Sequence, residues 1–168
     1  MDKIITSRLH LQKLTIGDAE AICHIYNNKK VATHFAIETI ETDAEKKAFT
    51  ERIITNSHFI WTVRLSTAPN LIIGDCALHH LNGENNTIEI GGSLLPEYWG
   101  YSLMGEAFSA IIQFATANTN IKYIVGRTDP PNRQAIRCLQ KLGFKIAASK
   151  EKEVRLTLPV LHSNYSHD

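Results

Sequence analysis

The sequence predicts an α/β (α+β) domain, centred on a mixed, mostly antiparallel sheet with one splayed parallel strand pair and helices on both faces. Three observations predict it. Apolar residues recur at helical spacing in four segments, strand-like runs lie between these segments, and one long helix separates two of the strands. Because a strand–helix–strand crossover joins parallel neighbours, the last observation places a parallel pair within the sheet.

The first part of the chain is predicted to contain one strand and two helices. Residues 4–13 have the apolar pattern of an opening strand. Thr15 is a suitable cap for a helix that follows directly. Thr42 and Glu45 form a capping-box pattern, which predicts a second helix to about residue 56.

Three strand-like runs follow, over residues 58–65, 71–81 and 87–95. Their connections, residues 66–70 and 82–86, are rich in the residue types that are typical of turns. We therefore expect these strands to be antiparallel hairpins.

The last part of the chain alternates helices and strands. A long helix is predicted over residues 101–116 and a strand over residues 122–128. Asn132 is a strong cap after two prolines, and Gly143 suits the left-handed end of the helix between them. Two closing strands are predicted, over residues 144–148 and 154–161.

Composition indicates one domain, residues 1–162, followed by a polar tail at residues 163–168. The 168 residues carry 18 Lys and Arg against 17 Asp and Glu, so a net charge of +1 gives no electrostatic reason to expect nucleic acid or a membrane as partner. Three scattered cysteines and no long apolar run predict a reducing, cytoplasmic location. We expect no metal, because no Cys/His spacing typical of a metal site occurs. A homodimer is left open.

Two segments carry a recognisable signature. Residues 88–107 contain Pro96-Glu97-Tyr98-Trp99-Gly100, and residues 129–144 contain Asp129-Pro130-Pro131-Asn132. With the opening Thr6-Ser7-Arg8-Leu9, they resemble the GNAT superfamily, specifically the branch of ribosomal-protein N-terminal acetyltransferases. The resemblance implies an N-acetyltransferase that moves an acetyl group from acetyl-CoA to a primary amine, which is either a protein N-terminus or a small amine.

A candidate phosphate site lies in the first segment. There a strand leads into a helix, whose first backbone N–H groups are free to bind an anion. The predicted cofactor-binding residues of this loop are Trp99, Gly100, Tyr101, Ser102, Leu103, Met104 and Gly105.

The strand before this loop must part from its neighbour to admit a ligand. Gly91 and Gly92 lie within it, where glycine often marks a bulge or a close approach of backbones. The resemblance implies a bulge that opens a gap for the pantetheine arm, and a backbone N–H near Leu94 or Leu95 that stabilises the oxyanion. It also implies that residues 33–35 and the strand of His79 and His80 line the cleft.

The second segment adds Asn132 and Arg137 to the predicted cofactor-binding residues. The resemblance implies that Asn132 hydrogen-bonds the pantetheine arm, although the residue is equally suited to capping its helix. Arg137 could reach the CoA phosphates or be an ordinary surface charge.

Several positions depart from the family pattern. Ser102 and Met104 stand where the phosphate loop has small residues, and Ala135 and Leu139 stand where Ser or Tyr often protonates the leaving thiolate. A thiol with a pKa near about 8.5 leaves without much help, so this loss weakens the mechanism without abolishing it. The alternative function is therefore a weak or inactive GNAT-fold domain that binds acyl-CoA or a peptide.

The acceptor amine must be neutral when it attacks, so a base must take a proton. Glu89 stands where the family often has a carboxylate, and it is the predicted catalytic base, with His80 as a second candidate. Glu89 could instead pair with Arg64 or Arg127. His79 and His80, as strand neighbours, should point to opposite faces. No residue is placed as an acyl-carrying nucleophile, so we expect direct attack on bound acetyl-CoA.

Overall fold

In the described part of the chain, eight strands form one sheet. The computed structural model describes residues 3–35 and 37–161, so the predicted tail at residues 163–168 lies outside the described residues. The strands are β1 (Lys3–Ile5), β2 (Leu9–Lys13), β3 (Ser57–Leu65), β4 (Ala68–Asn82), β5 (Thr87–Leu94), β6 (Tyr123–Thr128), β7 (Lys145–Ser149) and β8 (Val154–Pro159). Their order is β1-β2-β3-β4-β5-β6-β8-β7, and β5–β6 is the parallel pair among antiparallel neighbours. The predicted mixed, mostly antiparallel sheet is confirmed.

Helices cover both faces of this sheet, as predicted. They are α1 (Ala19–Asn27), α2 (Lys29–Ala32), α3 (Asp43–Asn56), α4 (Leu103–Asn118) and α5 (Arg133–Lys141). The capping box of α3 forms as expected, since Thr42 Oγ1 accepts from the Glu45 amide at 3.2 Å and a Glu45 carboxylate oxygen accepts from the Thr42 amide at 2.8 Å. Across the described ranges, we find no helix that is both long and apolar enough to cross a membrane.

Two apolar clusters hold the layers together. The first joins α4 and α5 to one sheet face, and it includes Ile88 and Ile111, both fully buried. The second joins α1 and α3 to the opposite face around Ile22 and Phe49. The buried apolar residues of β5, Ile88, Ile90 and Leu94, all belong to the first cluster, so the residues between them face the other side of the sheet.

The single opening strand predicted over residues 4–13 is wrong, because the chain turns back within it. β1 and β2 pair antiparallel, with Ile5 opposite His10. Glu106 of α4 stabilises this turn. Its carboxylate accepts hydrogen bonds from the Arg8 amide at 2.8 Å and from Arg8 Nε at 2.7 Å. Burial raises the pKa of Glu106, but hydrogen bonds from Thr6 and Arg8 outweigh this and lower it to about 2.

The boundaries of α4 and β4 differ from the prediction. The long helix begins at Leu103 instead of residue 101, because Gly100 and Ser102 have φ values of 82° and 60°, which are not helical. β4 begins at Ala68, so the turn after β3 is shorter than the expected residues 66–70. Gly143 has φ of 94°, as expected for the left-handed end of α5.

Candidate active site

The parallel strands β5 and β6 part at their carboxyl ends. Their pairing runs from Thr87 opposite Tyr123 to Ile90 opposite Gly126. Beyond this point β5 continues along β4 as far as Leu94, whereas β6 continues along β8. The expected splay is therefore confirmed, and it opens a gap between two neighbouring strands.

The bulge expected at Gly91 and Gly92 is wrong. β5 stays in regular register with β4 through both glycines, so the gap arises because β6 turns away with β8. The alternative, a close approach of backbones, is confirmed at Gly92, where a Cβ atom would overlap the carbonyl oxygen of Asp75. A side chain at this position would push β4 and β5 apart beside the gap.

The gap belongs to a cleft of about 490 Å³ that extends to the N-terminus of α4. Most of the predicted cofactor-binding residues line it, and these are Leu94, Trp99, Gly100, Ser102, Leu103, Met104, Gly105, Asn132 and Arg137. Two do not. Leu95 is only 6% exposed and packs in the α1–α3 cluster, and Tyr101 is 65% exposed but is not among the residues that line the cleft.

The backbone at the end of β5 presents a hydrogen-bond donor to the gap. The Leu95 amide donates to the carbonyl of Ile73 on β4 at 2.9 Å, so it is not free to bind an oxyanion. Because donors alternate sides in an antiparallel ladder, the preceding Leu94 amide points away from β4 and toward the gap. Of the two predicted oxyanion donors, the structure therefore favours Leu94.

The N-terminus of α4 presents further donors. Its first helical hydrogen bond runs from the Glu106 amide to the Ser102 carbonyl at 3.1 Å, which leaves the amides of Leu103, Met104 and Gly105 without an intrahelical acceptor. All three residues line the cleft. The side chain of Met104 packs against the α4–α5 cluster, so its bulk lies partly in the core. Anion binding here is favoured further by the helix dipole.

α5 forms the other wall. Asn132 Oδ1 accepts from the Ala135 amide at 3.1 Å, so the capping role is present and the residue also lines the cleft. Arg137 and Lys141 add two cations, and sequence reasoning missed Lys141 although it lies one turn beyond Arg137. Leu139 is only 4% exposed and fills the space beside Gly126, so the helix position that often carries an acid belongs to the core here.

The third wall comes from the turn after α2. Of the expected residues 33–35, His34 and Phe35 line the cleft, whereas Thr33 does not. His34 Nδ1 lies 3.1 Å from a carboxylate oxygen of Asp129, which follows β6. This contact joins the two sides of the cleft near the splay.

Glu89 and His80 are placed together, but they are not among the residues that line the cleft. Glu89 accepts from Arg127 Nε at 2.9 Å, so its expected pairing with Arg127 is present, whereas Arg64 pairs with Asp18 at 3.0 Å. Burial raises the pKa of Glu89, but hydrogen bonds from His80 and Arg127 lower it below its usual value on balance. The catalytic roles of Glu89 and His80 stay predictions.

The expectation that His79 and His80 point to opposite faces is wrong. His80 has φ of 48°, which turns its ring toward that of His79, and the ring centroids lie 4.7 Å apart. Ligand-type atoms of His79, His80 and Glu89 all lie within 4.8 Å of one another. These three residues could hold a metal ion, although Arg127 already contacts one oxygen of Glu89.

A buried polar group at the floor of the cleft escaped sequence reasoning. Asp75 of β4 is 2% exposed and lies opposite Ser93 of β5, which lines the cleft. Ser93 Oγ donates to Asp75 Oδ1 at 2.5 Å, and Tyr26 of α1 donates from 3.2 Å. The signal in the sequence was a single carboxylate inside the apolar run of residues 72–78.

A splayed parallel pair that leads to a helix N-terminus with free backbone amides fits an acyltransferase that uses a CoA thioester. The chain matches the family model described as "Acetyltransferase (GNAT) domain" over residues 8–145. It therefore belongs to the GNAT acetyltransferase family, and it is an acetyl-CoA-dependent acyltransferase.

Relatives and solved structures agree with this family. The chain is 25% identical over 148 residues to the uncharacterized N-acetyltransferase p20 of Bacillus licheniformis, which covers 86% of this chain and 83% of p20. The fold is similar to that of spermidine N-acetyltransferase from Vibrio cholerae in complex with CoA and spermine (TM-score 0.77, 19% identity, 92% and 97% of the two chains). It is also similar to ribosomal-protein-S5-alanine acetyltransferase from Vibrio fischeri (TM-score 0.77, 19% identity, 95% and 97%).

Proposed function

We propose that the protein acetylates a primary amine by direct attack of the amine on acetyl-CoA bound in the cleft. The observation that carries this proposal is the continuity of the cleft, which joins the free amides at the start of α4 to the gap between β5 and β6. A CoA molecule needs both features, since its pyrophosphate is an anion and its pantetheine arm is long and narrow. The acceptor is either a protein N-terminus or a small amine.

We assign the residues of the cleft to the parts of acetyl-CoA in order along its length. The amides of residues 103–105 would bind the pyrophosphate, with Arg137 and Lys141 as additional positive charges. Asn132 and the backbone at Leu94 would hold the pantetheine arm. The Leu94 amide would then donate to the oxyanion that forms when the amine attacks the thioester carbonyl.

Two structural neighbours illustrate the choice of acceptor. One is a spermidine N-acetyltransferase and the other is a ribosomal-protein-S5-alanine acetyltransferase. The similarity of folds does not choose between a polyamine and a protein N-terminus, so the branch of ribosomal-protein acetyltransferases stays a prediction. A cytoplasmic location, a homodimer, and the absence of a metal or nucleic-acid partner stay predictions too.

A second candidate function is a GNAT-fold domain that binds acyl-CoA without turnover. Ala135 and the buried Leu139 favour it, because neither can protonate the leaving thiolate. Thermal denaturation with and without acetyl-CoA, followed by thiol release with a panel of amines, separates the two. Cofactor at about 100 times its dissociation constant should add roughly 2.7 kcal/mol of stability. Stabilisation with thiol release supports the transferase, stabilisation alone supports the binding domain, and no stabilisation contradicts both.

The base is a separate part of the proposal. Sequence reasoning supports Glu89, with His80 beside it, and Glu89→Gln should then lower turnover roughly 10²-fold while acetyl-CoA affinity stays the same. Unchanged turnover would remove Glu89 from the reaction.

A further inference from the structure

We propose that Asp75, acting through the hydroxyl of Ser93, takes the proton that the acceptor amine must lose. This inference rests on the proposed function, and it names a different proton acceptor from Glu89. It starts from a feature that needs an explanation, which is a carboxylate buried inside the sheet whose side-chain partners, within residues 3–35 and 37–161, are hydroxyl groups and not cations.

The position of Ser93 connects Asp75 to the reaction. Ser93 is the residue before Leu94, whose amide faces the gap, and both residues line the cleft. Its hydroxyl lies 2.5 Å from Asp75 Oδ1. A hydroxyl can accept a proton from one side while it donates its own to the other. Ser93 is therefore placed to pass a proton from an amine in the cleft to a carboxylate that no substrate could touch.

Among the described residues, hydroxyl and backbone N–H groups, and not a cation, surround the Asp75 carboxylate. Tyr26 donates to both carboxylate oxygens from 3.2 Å, and Ser93 donates to one of them. Burial raises the pKa of Tyr26 well above its usual value, and it does the same for Cys76, the next residue on β4. Both groups are therefore neutral near pH 7.

The acid–base properties of Asp75 suit this role. Burial raises its pKa from 3.8 to about 6, against the lowering effect of the hydrogen bonds from Ser93 and Tyr26. A base with a pKa near the working pH is both ionised and basic enough to accept a proton. Glu89 differs, since its partners His80 and Arg127 lower its pKa.

Other titratable groups near the cleft are distinguishable from Asp75. His79 lies on the same face of β4, opposite Glu89, and burial lowers its pKa. His34 lies on the far wall and contacts Asp129. Substitution of His79 identifies any limb that this residue contributes to a pH profile.

Both protons that the attacking nitrogen loses are accounted for in the proposed reaction. An ammonium acceptor gives one proton to Ser93 Oγ, whose own proton passes to the Asp75 carboxylate. The neutral amine forms a C–N bond to the thioester carbonyl, and the C–S bond breaks as the tetrahedral intermediate collapses. The second proton of the attacking nitrogen goes to the CoA thiolate, and Asp75 releases its proton after the amide product leaves.

The test is the pH dependence of kcat at saturating acetyl-CoA and amine, for the full chain and five variants. The wild-type rate should fall in acid with an apparent pKa near 6. Asp75→Asn and Ser93→Ala should lower kcat roughly 10²-fold and lose this limb, with little change in acetyl-CoA affinity. Tyr26→Phe removes one donor to the carboxylate, so it should move the limb upward by at least about half a pH unit.

Thr50→Val is the matched control, because it removes a buried hydroxyl hydrogen bond, of 2.8 Å to the Lys46 carbonyl, away from the cleft. It should keep both kcat and the acid limb of the pH profile.

Persistence of the limb in Asp75→Asn and Ser93→Ala, or its loss in Glu89→Gln instead, would overturn the assignment to Asp75. If Asp75→Asn does not fold, Ser93→Ala and Tyr26→Phe decide. A wild-type protein that does not bind acetyl-CoA overturns the proposed function as well, whereas one that transfers acetyl without these changes overturns only this inference.

Discussion

Asp75→Asn should change how the stability of the protein depends on pH. In the folded protein, burial raises the pKa of Asp75 from 3.8 to about 6. Between these two values the folded state binds more protons than the unfolded state, so the free energy of unfolding falls as pH rises. A difference of roughly two pKa units corresponds to about 3 kcal/mol, since one unit is about 1.4 kcal/mol. Asn cannot ionise, so the free energy of unfolding of the variant does not fall in this way.

Denaturant titration of both proteins from about pH 4 to about pH 8 measures this effect. The difference in unfolding free energy should shift in favour of Asp75→Asn by about 2–3 kcal/mol across the range, most steeply near pH 5. Any constant cost from altered hydrogen bonds to Ser93 and Tyr26 cancels, because only the change with pH is compared. Thr50→Val supplies a control whose difference from wild type should not vary with pH. Parallel stability curves for Asp75→Asn and wild type would refute the reasoning.

Three further predictions concern other parts of the fold. Gly100→Ala should lower the free energy of unfolding by roughly 1–2 kcal/mol in denaturant titration, because a left-handed φ costs a side chain about that much, whereas Gly83→Ala, also with open space around its Cβ position, should not. Gly92→Ala should abolish transfer and lower the melting temperature, since its Cβ would overlap the Asp75 carbonyl; wild-type activity would contradict the close packing. Glu106 has a pKa lowered to about 2, so its stabilisation is full above the ordinary Glu pKa near 4.5 and is lost as pH falls toward 2. Glu106→Gln should therefore be less stable than wild type near pH 7, with the gap closing in acid, and equal stability at neutral pH would contradict this.

Local signals made much of the fold predictable from the sequence. The capping box of Thr42 and Glu45 marked the start of α3, and Gly143 marked the end of α5. The crossover through α4 fixed the parallel pair without any knowledge of tertiary contacts. Each of these features depends on residues close together in the chain, which is why a pattern could show them.

Features that depend on distant contacts or unusual backbone angles were not predictable. The turn after β1 is held by Glu106, 98 residues away from Arg8, so the opening segment looked like one strand. The positive φ of His80 brings together two rings that a regular strand would separate.

In the candidate site too, local features were predictable from the sequence and features that depend on distant contacts were not. The place of residues 102–105 in the cleft lining was predictable, because a strand that leads into a helix N-terminus is a local pattern. Asp75 was not, because its partners Ser93 and Tyr26 lie 18 and 49 residues away and belong to different elements. The missed oxyanion preference for Leu94 over Leu95 likewise needed the β4–β5 register.

The most direct measurement of the central claim is a single reaction, in which the protein is mixed with acetyl-CoA and a panel of primary amines, both polyamines and peptides with free N-termini. Mass spectrometry of the amine and thiol release are followed together. We predict one acetyl group on the acceptor amine for each thiol released, with no acetyl group retained on the protein, because transfer is by direct attack. An acetylated protein that then passes its acetyl group to the amine would contradict direct attack, and no acetylated amine across the panel, with acetyl-CoA bound, would contradict the transferase assignment.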